Sequence, residues 1–243
     1  MLAQPLHKTA VVIPALNEAE AIAGVIDDIA ALGVGEIIVV DDASTDNTRC
    51  IAEAKGATVL GLIDPLGSWG ATQTGLRYAV RKGYAFVITL DADGQHNPAD
   101  IPKLLAPLIS GEANVAIGTC PERGSLLRRF AWQWIKSTSG VDLIDITSGF
   151  RAYDRLALRR VASWKATLLD YQDIGVILLL QRTHMFIQDV GVTMAQRVNG
   201  KSRIFHNWGI VAYYMVHTLL LGFCKRIEIK RHTSPTEVAK MRL

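Results

Sequence analysis

The sequence predicts an α/β fold: a mostly parallel central sheet covered by helices on both faces, with an apolar helix added near the C-terminus. Three observations predict it. Short β-branched apolar runs alternate with amphipathic stretches through the first half of the chain. Those runs are apolar throughout, as expected of strands buried on both faces. They also end in polar, acid-rich turns, and sheets of this kind bind ligands at the carboxyl ends of their strands.

The elements follow in order. Thr9 to Ile13 reads as the first strand, stopped by Pro14. Asn17 is the expected N-cap of a helix, with Glu18 and Glu20 suited to its positive end. Ile22, Val25, Ile26 and Ile29 recur at helical spacing, and Gly33 and Gly35 close that helix. Glu36 to Val40 is the second strand and runs into the acidic turn Asp41 to Asp46. Asp46 to Lys55 is a short helix stopped by Gly56, and Thr58 to Leu62 is the third strand. Gly67 to Lys82 is a helix and Ala85 to Leu90 the fourth strand. The second half is less regular. It offers a helix over Asp100 to Ser110, a strand over Asn114 to Gly118 and a basic-aromatic helix over Ser125 to Thr138. A loop over Thr147 to Tyr153 then leads into a helix ending at Val161. An apolar helix over Ile174 to Arg182 and a strand over Phe186 to Val190 complete the pattern.

Composition narrows the function class. A chain of 243 residues is expected to hold one sizeable α/β domain, or a domain plus an appendage. Its 49% hydrophobic content is ample for a core and high for a freely soluble enzyme. The net charge of +3 is too small for a dedicated nucleic-acid binder, so no nucleic-acid partner is expected. Cys50, Cys120 and Cys224 are widely spaced and odd in number, which argues against a disulfide framework and for a reducing cytoplasm. Met1 to Lys8 lacks the apolar stretch of a secretory signal, and none is expected.

The chemistry concentrates in Asp91-Ala-Asp93-Gly-Gln95, directly after the fourth strand. Two carboxylates and an amide oxygen form a hard-oxygen site suited to Mg²⁺ or Mn²⁺, with a diphosphate filling the remaining positions. An Asp-x-Asp alone is common in ordinary acidic loops, so the other blocks decide. His96 follows at once, but one histidine beside such a site is more often a structural neighbour and is set aside.

Five blocks in order resemble the family 2 glycosyltransferases, which carry the GT-A fold. Val11 to Glu18 looks like that family's first strand and loop, and Ile38 to Asp46 like its second. Asp91-Ala-Asp93 is similar to its metal-binding motif. Thr147-Ser-Gly-Phe-Arg151 and Arg197-Val-Asn-Gly-Lys-Ser202 resemble the narrower dolichyl- and polyprenyl-phosphate sugar transferase branch. The resemblance covers about Thr9 to Phe205. It implies that Pro14, Ala15, Glu18, Val40, Asp42, Asp91 and Ala92 line a UDP- or GDP-linked sugar, with Asp42 accepting from a base N–H. It implies that Asp91, Asp93 and Gln95 hold the metal.

A cation there stabilises the departing nucleoside diphosphate, and attack from the opposite face inverts the anomeric centre. In the broad family a carboxylate deprotonates an acceptor hydroxyl. The matching position here is Asp173, a general base if the acceptor is a hydroxyl and an ordinary helix-start carboxylate otherwise. A polyprenyl-phosphate acceptor is already ionised and needs cations instead of a base. Arg151 and Arg197 are the leading candidates because they sit inside the resembling blocks. Arg123, Arg128, Arg129, Lys201 and Arg203 are further cations, and Gly118 to Arg123 departs from the branch's usual element.

Trp208 to Cys224 is apolar, with Trp208, Tyr213 and Tyr214 near one end and basic residues on both sides. An interfacial membrane helix suits that pattern first, a buried or oligomer-forming helix second and a short span third. The expected organisation is a GT-A domain over 1–206, a membrane-interfacial segment over 207–231 and a polar tail over 232–243. The expected enzyme moves a sugar from a nucleotide donor to a polyprenyl phosphate, peripherally bound to the inner face of the cell membrane; a homo-oligomer is left open. A hydroxyl acceptor on a glycan or lipid is the second reading. A non-catalytic nucleotide-sugar-binding protein is the third. A nucleotidyltransferase is the fourth, and Val11 to Glu18 lacks the glycine-rich loop that reading requires.

Overall fold

The computed structural model describes residues 3–120, 143, 148–167 and 174–195. The expected helix over 125–138, Asp173, Arg197 and the apolar stretch 208–224 lie outside these residues. All described residues except Leu143 belong to one compact unit, Met1–Pro121 with Asp145–Gly200.

The strands are β1 (Thr9–Ala15), β2 (Glu36–Asp41), β3 (Thr58–Gly61), β4 (Phe86–Thr89), β5 (Val115–Thr119), β6 (Arg151–Asp154) and β7 (Ile187–Gly191). The helices are α1 (Ala3–His7), α2 (Ile22–Ala30), α3 (Thr48–Ala54), α4 (Gly67–Lys82), α5 (Ile101–Ile109), α6 (Arg155–Val161), α7 (Trp164–Thr167) and α8 (Ile174–Arg182). The strands form one sheet in the order β3-β2-β1-β4-β6-β5-β7. Every pairing is parallel except those β6 makes with β4 and β5. The carboxyl ends of β1, β2 and β4 therefore share one sheet edge. Because β6 runs the other way, its first residue, Arg151, pairs with Thr89 at that same edge.

Alternate residues of each strand feed two different layers. Val11, Ile13, Val39 and Ile88 join Ile22, Val25, Ile26 and Ile29 of α2 and Leu104, Leu105 and Leu108 of α5 in one continuous core. Val12 and Val40 face the opposite way, against α4. That helix lies so close that a Cβ on Gly75 would sit 2.4 Å from a Val12 methyl and 3.0 Å from one of Val40. Gly75→Ala is expected to destabilise the protein by about 1–3 kcal/mol through overpacking, offset in part by better helix propensity. Urea denaturation checks it, and unchanged or raised stability would refute the close approach.

Three expectations are corrected. The first strand does not stop at Pro14 but continues to Ala15. Ala15 O accepts from Asp42 N on the β2 side, whereas Val12 O accepts from Leu90 N on the β4 side. By alternation the Pro14 nitrogen faces β4, beyond the last β1–β4 pair at Val12 and Thr89, so its missing N–H breaks no ladder bond. Asn17 is not a helix cap. It has φ 52°, and its Oδ1 accepts from Thr45 N at 2.7 Å and from Thr45 Oγ1 at 3.3 Å. The helix starts only at Ile22, because the Glu18 and Ala19 N–H groups bond to Thr48 and Asp46 across the loop. Finally, Arg151–Asp154 is a strand and not part of a loop. Arg151, Ala152 and Tyr153 are all fully buried, so the segment shows no in–out alternation for a sequence pattern to reveal.

Candidate active site

The loop leaving β4 carries the acidic motif. The Asp91 side chain is about half exposed (47%), and its Oδ2 lies 3.2 Å from Nε2 of the buried His96. The imidazole packs on the Phe150 ring with centroids 5.1 Å apart. His96 Nδ1 is buried without a hydrogen-bond partner. With the hydrogen on Nε2, the ring donates to Asp91 and leaves only an acceptor unpaired.

The turn ahead of β6 also approaches this carboxylate. Thr89 Oγ1 donates to Gly149 O at 2.8 Å, anchoring the turn to the end of β4. A Cβ on Gly149 would sit 2.9 Å and 3.0 Å from the two Asp91 oxygens. A side chain at this position would push the Asp91 carboxylate aside. Phe150 supplies both the ring under His96 and a carbonyl that accepts from Gly118 N at 2.8 Å. Arg151 is fully buried, and its Nε donates to Ser148 O at 2.8 Å. A side chain with no exposed surface is badly placed to take up a lipid phosphate. Its visible work is to brace the turn that carries Gly149.

Asp93 is buried, and its Oδ1 accepts from Gln95 N at 3.0 Å, which folds the loop back on itself. Beyond it, the loop is stitched to the segment after β7. Gln95 O accepts from Ala195 N at 2.9 Å, His96 forms a bridge with Met194, and Asn97 Nδ2 donates to Thr193 Oγ1 at 3.2 Å. Asp100 Oδ2 takes both the N–H and the hydroxyl of Thr193 at 2.7 Å each. The chain just upstream of Arg197 is thus docked on the acidic loop.

Burial opposes the charge of Asp100, but hydrogen bonds from Lys103 and Thr193 and the Lys103 charge outweigh it, holding the carboxyl below its ordinary range. Since the folded value lies below the unfolded one, the stability Asp100 contributes is present above pH about 4 and is lost as pH falls through the folded value. Asp100→Asn should cost about 1–3 kcal/mol at neutral pH, with the gap to wild type closing in acid. Urea midpoints at pH about 7 and pH about 3 test this; a gap that persists in acid would contradict it.

The first two blocks are knitted together at the neighbouring strand ends. Asn17 N donates to Ser44 Oγ (2.9 Å), Glu18 N to Thr48 Oγ1 (2.8 Å) and Ala19 N to Asp46 Oδ2 (3.2 Å). Asp42 is buried, and its two oxygens accept from Leu66 N at 2.6 Å and Gly67 N at 2.9 Å. It therefore holds the entry of α4, and each oxygen keeps a second lone pair. Pro14 and Glu18 are half-buried beside it, while Ala15, Val40 and Ala92 are buried.

The donor set fits a hard divalent cation: Asp91 and Asp93 offer carboxylates and Gln95 an amide oxygen. Among the described residues no cluster of three His, Cys, Asp or Glu side chains could hold a metal unaided, so phosphate oxygens would complete the coordination. His96 and Gly149 are the residues whose importance the sequence did not reveal. The only signals were a histidine five positions after Asp91 and a glycine inside a block read as a loop.

Residues 10–166 match the model of glycosyl transferase family 2. The chain is 31% identical over 180 residues to a polyprenol monophosphomannose synthase of Mycolicibacterium smegmatis, covering 65% of this chain and 66% of that one. It is 29% identical over 234 residues to an undecaprenyl-phosphate mannosyltransferase of Micrococcus luteus, covering 89% and 95%. Glucosyl-3-phosphoglycerate synthase from Mycobacterium tuberculosis, solved with phosphoglyceric acid, superposes with a TM-score of 0.71 at 25% identity, over 91% of this chain and 84% of that one. The same enzyme solved with Mn²⁺, UDP-glucose and phosphoglyceric acid gives a TM-score of 0.68 at 25% identity, over 92% and 84%. With more than half of its length under the family model, and that stretch including the strand ends and acidic loop described above, the chain belongs to glycosyl transferase family 2 and is a glycosyltransferase of the GT-A fold.

Proposed function

We propose that the protein transfers a sugar, with inversion, from a UDP- or GDP-linked donor to a polyprenyl phosphate at the cytoplasmic face of the membrane, with Mg²⁺ or Mn²⁺ bound. One observation carries this reading. The acidic loop over 91–100 touches both the turn over 148–151 and the segment over 192–195, the two stretches that hold or lead into the polyprenyl-type blocks. Relatives named for phosphomannose synthesis and for mannosyl transfer to undecaprenyl phosphate support it.

In this mechanism the strand ends that carry Pro14, Ala15, Glu18, Val40 and Ala92 take the nucleoside, with Asp42 taking a base N–H on a remaining lone pair. Asp91, Asp93 and Gln95 would hold the cation, which would neutralise charge on the diphosphate. His96 and Gly149 fix where the Asp91 carboxylate sits. Arg151 acts as a positioning residue behind them. Arg197 binds the acceptor phosphate, already an anion and needing no base. The apolar segment over 207–231 keeps the chain at the membrane.

The test is a donor screen with undecaprenyl phosphate and Mg²⁺ or Mn²⁺, reading released UDP or GDP. Arg197→Ala should raise the lipid concentration needed for half-maximal rate roughly tenfold or more, leaving nucleotide affinity unchanged. Equal loss of both would remove Arg197 from the acceptor site. Asp173→Asn distinguishes the second acceptor class: phosphate transfer survives it, whereas transfer to a glycan hydroxyl does not.

A further inference from the structure

α4 and α6 pack together on the face of the sheet opposite α2 and α3. Gln73 Nε2 donates to Val161 O at 3.0 Å and Arg77 Nε to Ala162 O at 3.1 Å. Across residues 67–82 and 155–167 there is no Asp or Glu. Arg77, Arg81 and Lys82 project from α4, and Arg155, Arg159 and Arg160 from α6, with Lys165 beyond them on α7. All are exposed except the half-buried Arg77. Arg77, Arg81 and Arg159 line an open groove of about 200 Å³ with Val80 and Ala162.

A solvated helical face normally interleaves both signs of charge, because like charges at helical spacing repel. The helices on the other face do so: Arg49 pairs with Glu53 at 2.9 Å, and Lys55 of the α3 end pairs with Asp27 of α2. Among the described residues, α4, α6 and α7 thus carry cations with no carboxylate of their own, whereas the α2–α3 face carries both signs. Two large apolar side chains share the α4–α6–α7 face, Leu156 at 58% and Trp164 at 69% exposed. A surface meant only for soluble phosphates has no use for them. A tryptophan and a leucine among arginines suit the headgroup layer of an anionic bilayer.

We propose that the α4–α6–α7 face docks on anionic lipid, with Arg77, Arg81 and Arg159 against lipid phosphates and Leu156 and Trp164 entering the headgroup layer. The inference rests on the membrane-side reading above and names the surface that meets the bilayer. It is separate from the apolar segment over 207–231.

The test uses the full chain and phosphatidylcholine vesicles with and without phosphatidylglycerol. Arg81→Glu combined with Arg159→Glu should weaken binding to the phosphatidylglycerol vesicles by tenfold or more, since each cation near such a surface is worth roughly fivefold. In a Trp208→Phe background, brominated phosphatidylglycerol should quench tryptophan fluorescence, and adding Trp164→Phe should lower that quenching. Unchanged nucleotide binding in both variants shows that the fold is intact. Binding within twofold of wild type for the double variant, together with quenching in the Trp208→Phe background that Trp164→Phe leaves unchanged, would overturn the docking face and leave the membrane reading standing. A wild-type chain that ignores anionic vesicles would overturn both. Tighter binding to an RNA oligomer than to vesicles, lost in the double variant, would overturn the lipid assignment.

Discussion

Asp93→Asn is expected to lower turnover by roughly 10²–10³-fold while leaving the fold intact. Asparagine keeps an oxygen where Asp93 Oδ1 accepts from Gln95 N at 3.0 Å, so the loop retains its hydrogen bond. What disappears is one negative charge from the proposed cation-holding set. A departing diphosphate would then carry more uncompensated charge, and the penalty would fall on the transition state, where that charge is largest. Nucleoside diphosphate release measures the rate, and Mn²⁺ titration followed by electron paramagnetic resonance measures the metal. Both should fall, with the thermal midpoint within a few degrees of wild type. Turnover within threefold of wild type would remove Asp93 from the site.

Gly149→Ala should have the second largest effect, with kcat/KM falling on the order of 100-fold, because a misplacement of about 1 Å can cost that much. The added methyl would lie 2.9 Å and 3.0 Å from the Asp91 oxygens and 3.2 Å from its Cγ. Gly149 does not use a left-handed conformation, so alanine fits the backbone and the consequence is confined to the contact. The turn itself is anchored to Thr89, and the carboxylate is also held by His96. The Asp91 side chain yields, because it is the most exposed member of the group. Mn²⁺ affinity should drop along with the rate. An alanine variant with normal metal affinity would show that the Asp91 carboxylate is free to adjust, and that this contact does not set its position.

The first half of the fold was legible because its signals are local. Ile22, Val25, Ile26 and Ile29 announce one helical face, and all four are buried. The expected helix over Gly67 to Lys82 is α4 itself. The failures occur where partners distant in sequence decide the outcome. Asn17 reads as a cap because nothing nearby shows that Thr45 takes its side chain. Arg151 to Asp154 reads as a loop because a strand buried on both faces and opening with arginine has no periodicity of its own. It becomes a strand only between β4 and β5.

The site divides in the same way. Residue types at strand ends pointed to Asp91, Asp93 and Gln95 as candidates, since hard-oxygen chemistry needs such groups at that spacing. Their surroundings were not readable. Arg151 was read from its motif as a phosphate contact, and nothing in the sequence signals that its side chain is fully buried and bonded to Ser148 O.

By itself, the sequence determined the alternation of strands and helices, the edge of the sheet where chemistry gathers and the kind of cation that edge can hold. Periodicity and donor chemistry belong to short stretches of chain. Only the tertiary structure decided that His96 and Gly149 both lie against the Asp91 carboxylate and that α4, α6 and α7 bring their cations together on one face. Those facts depend on which distant segments the sheet order brings within a few ångströms of each other, and no local pattern contains that information.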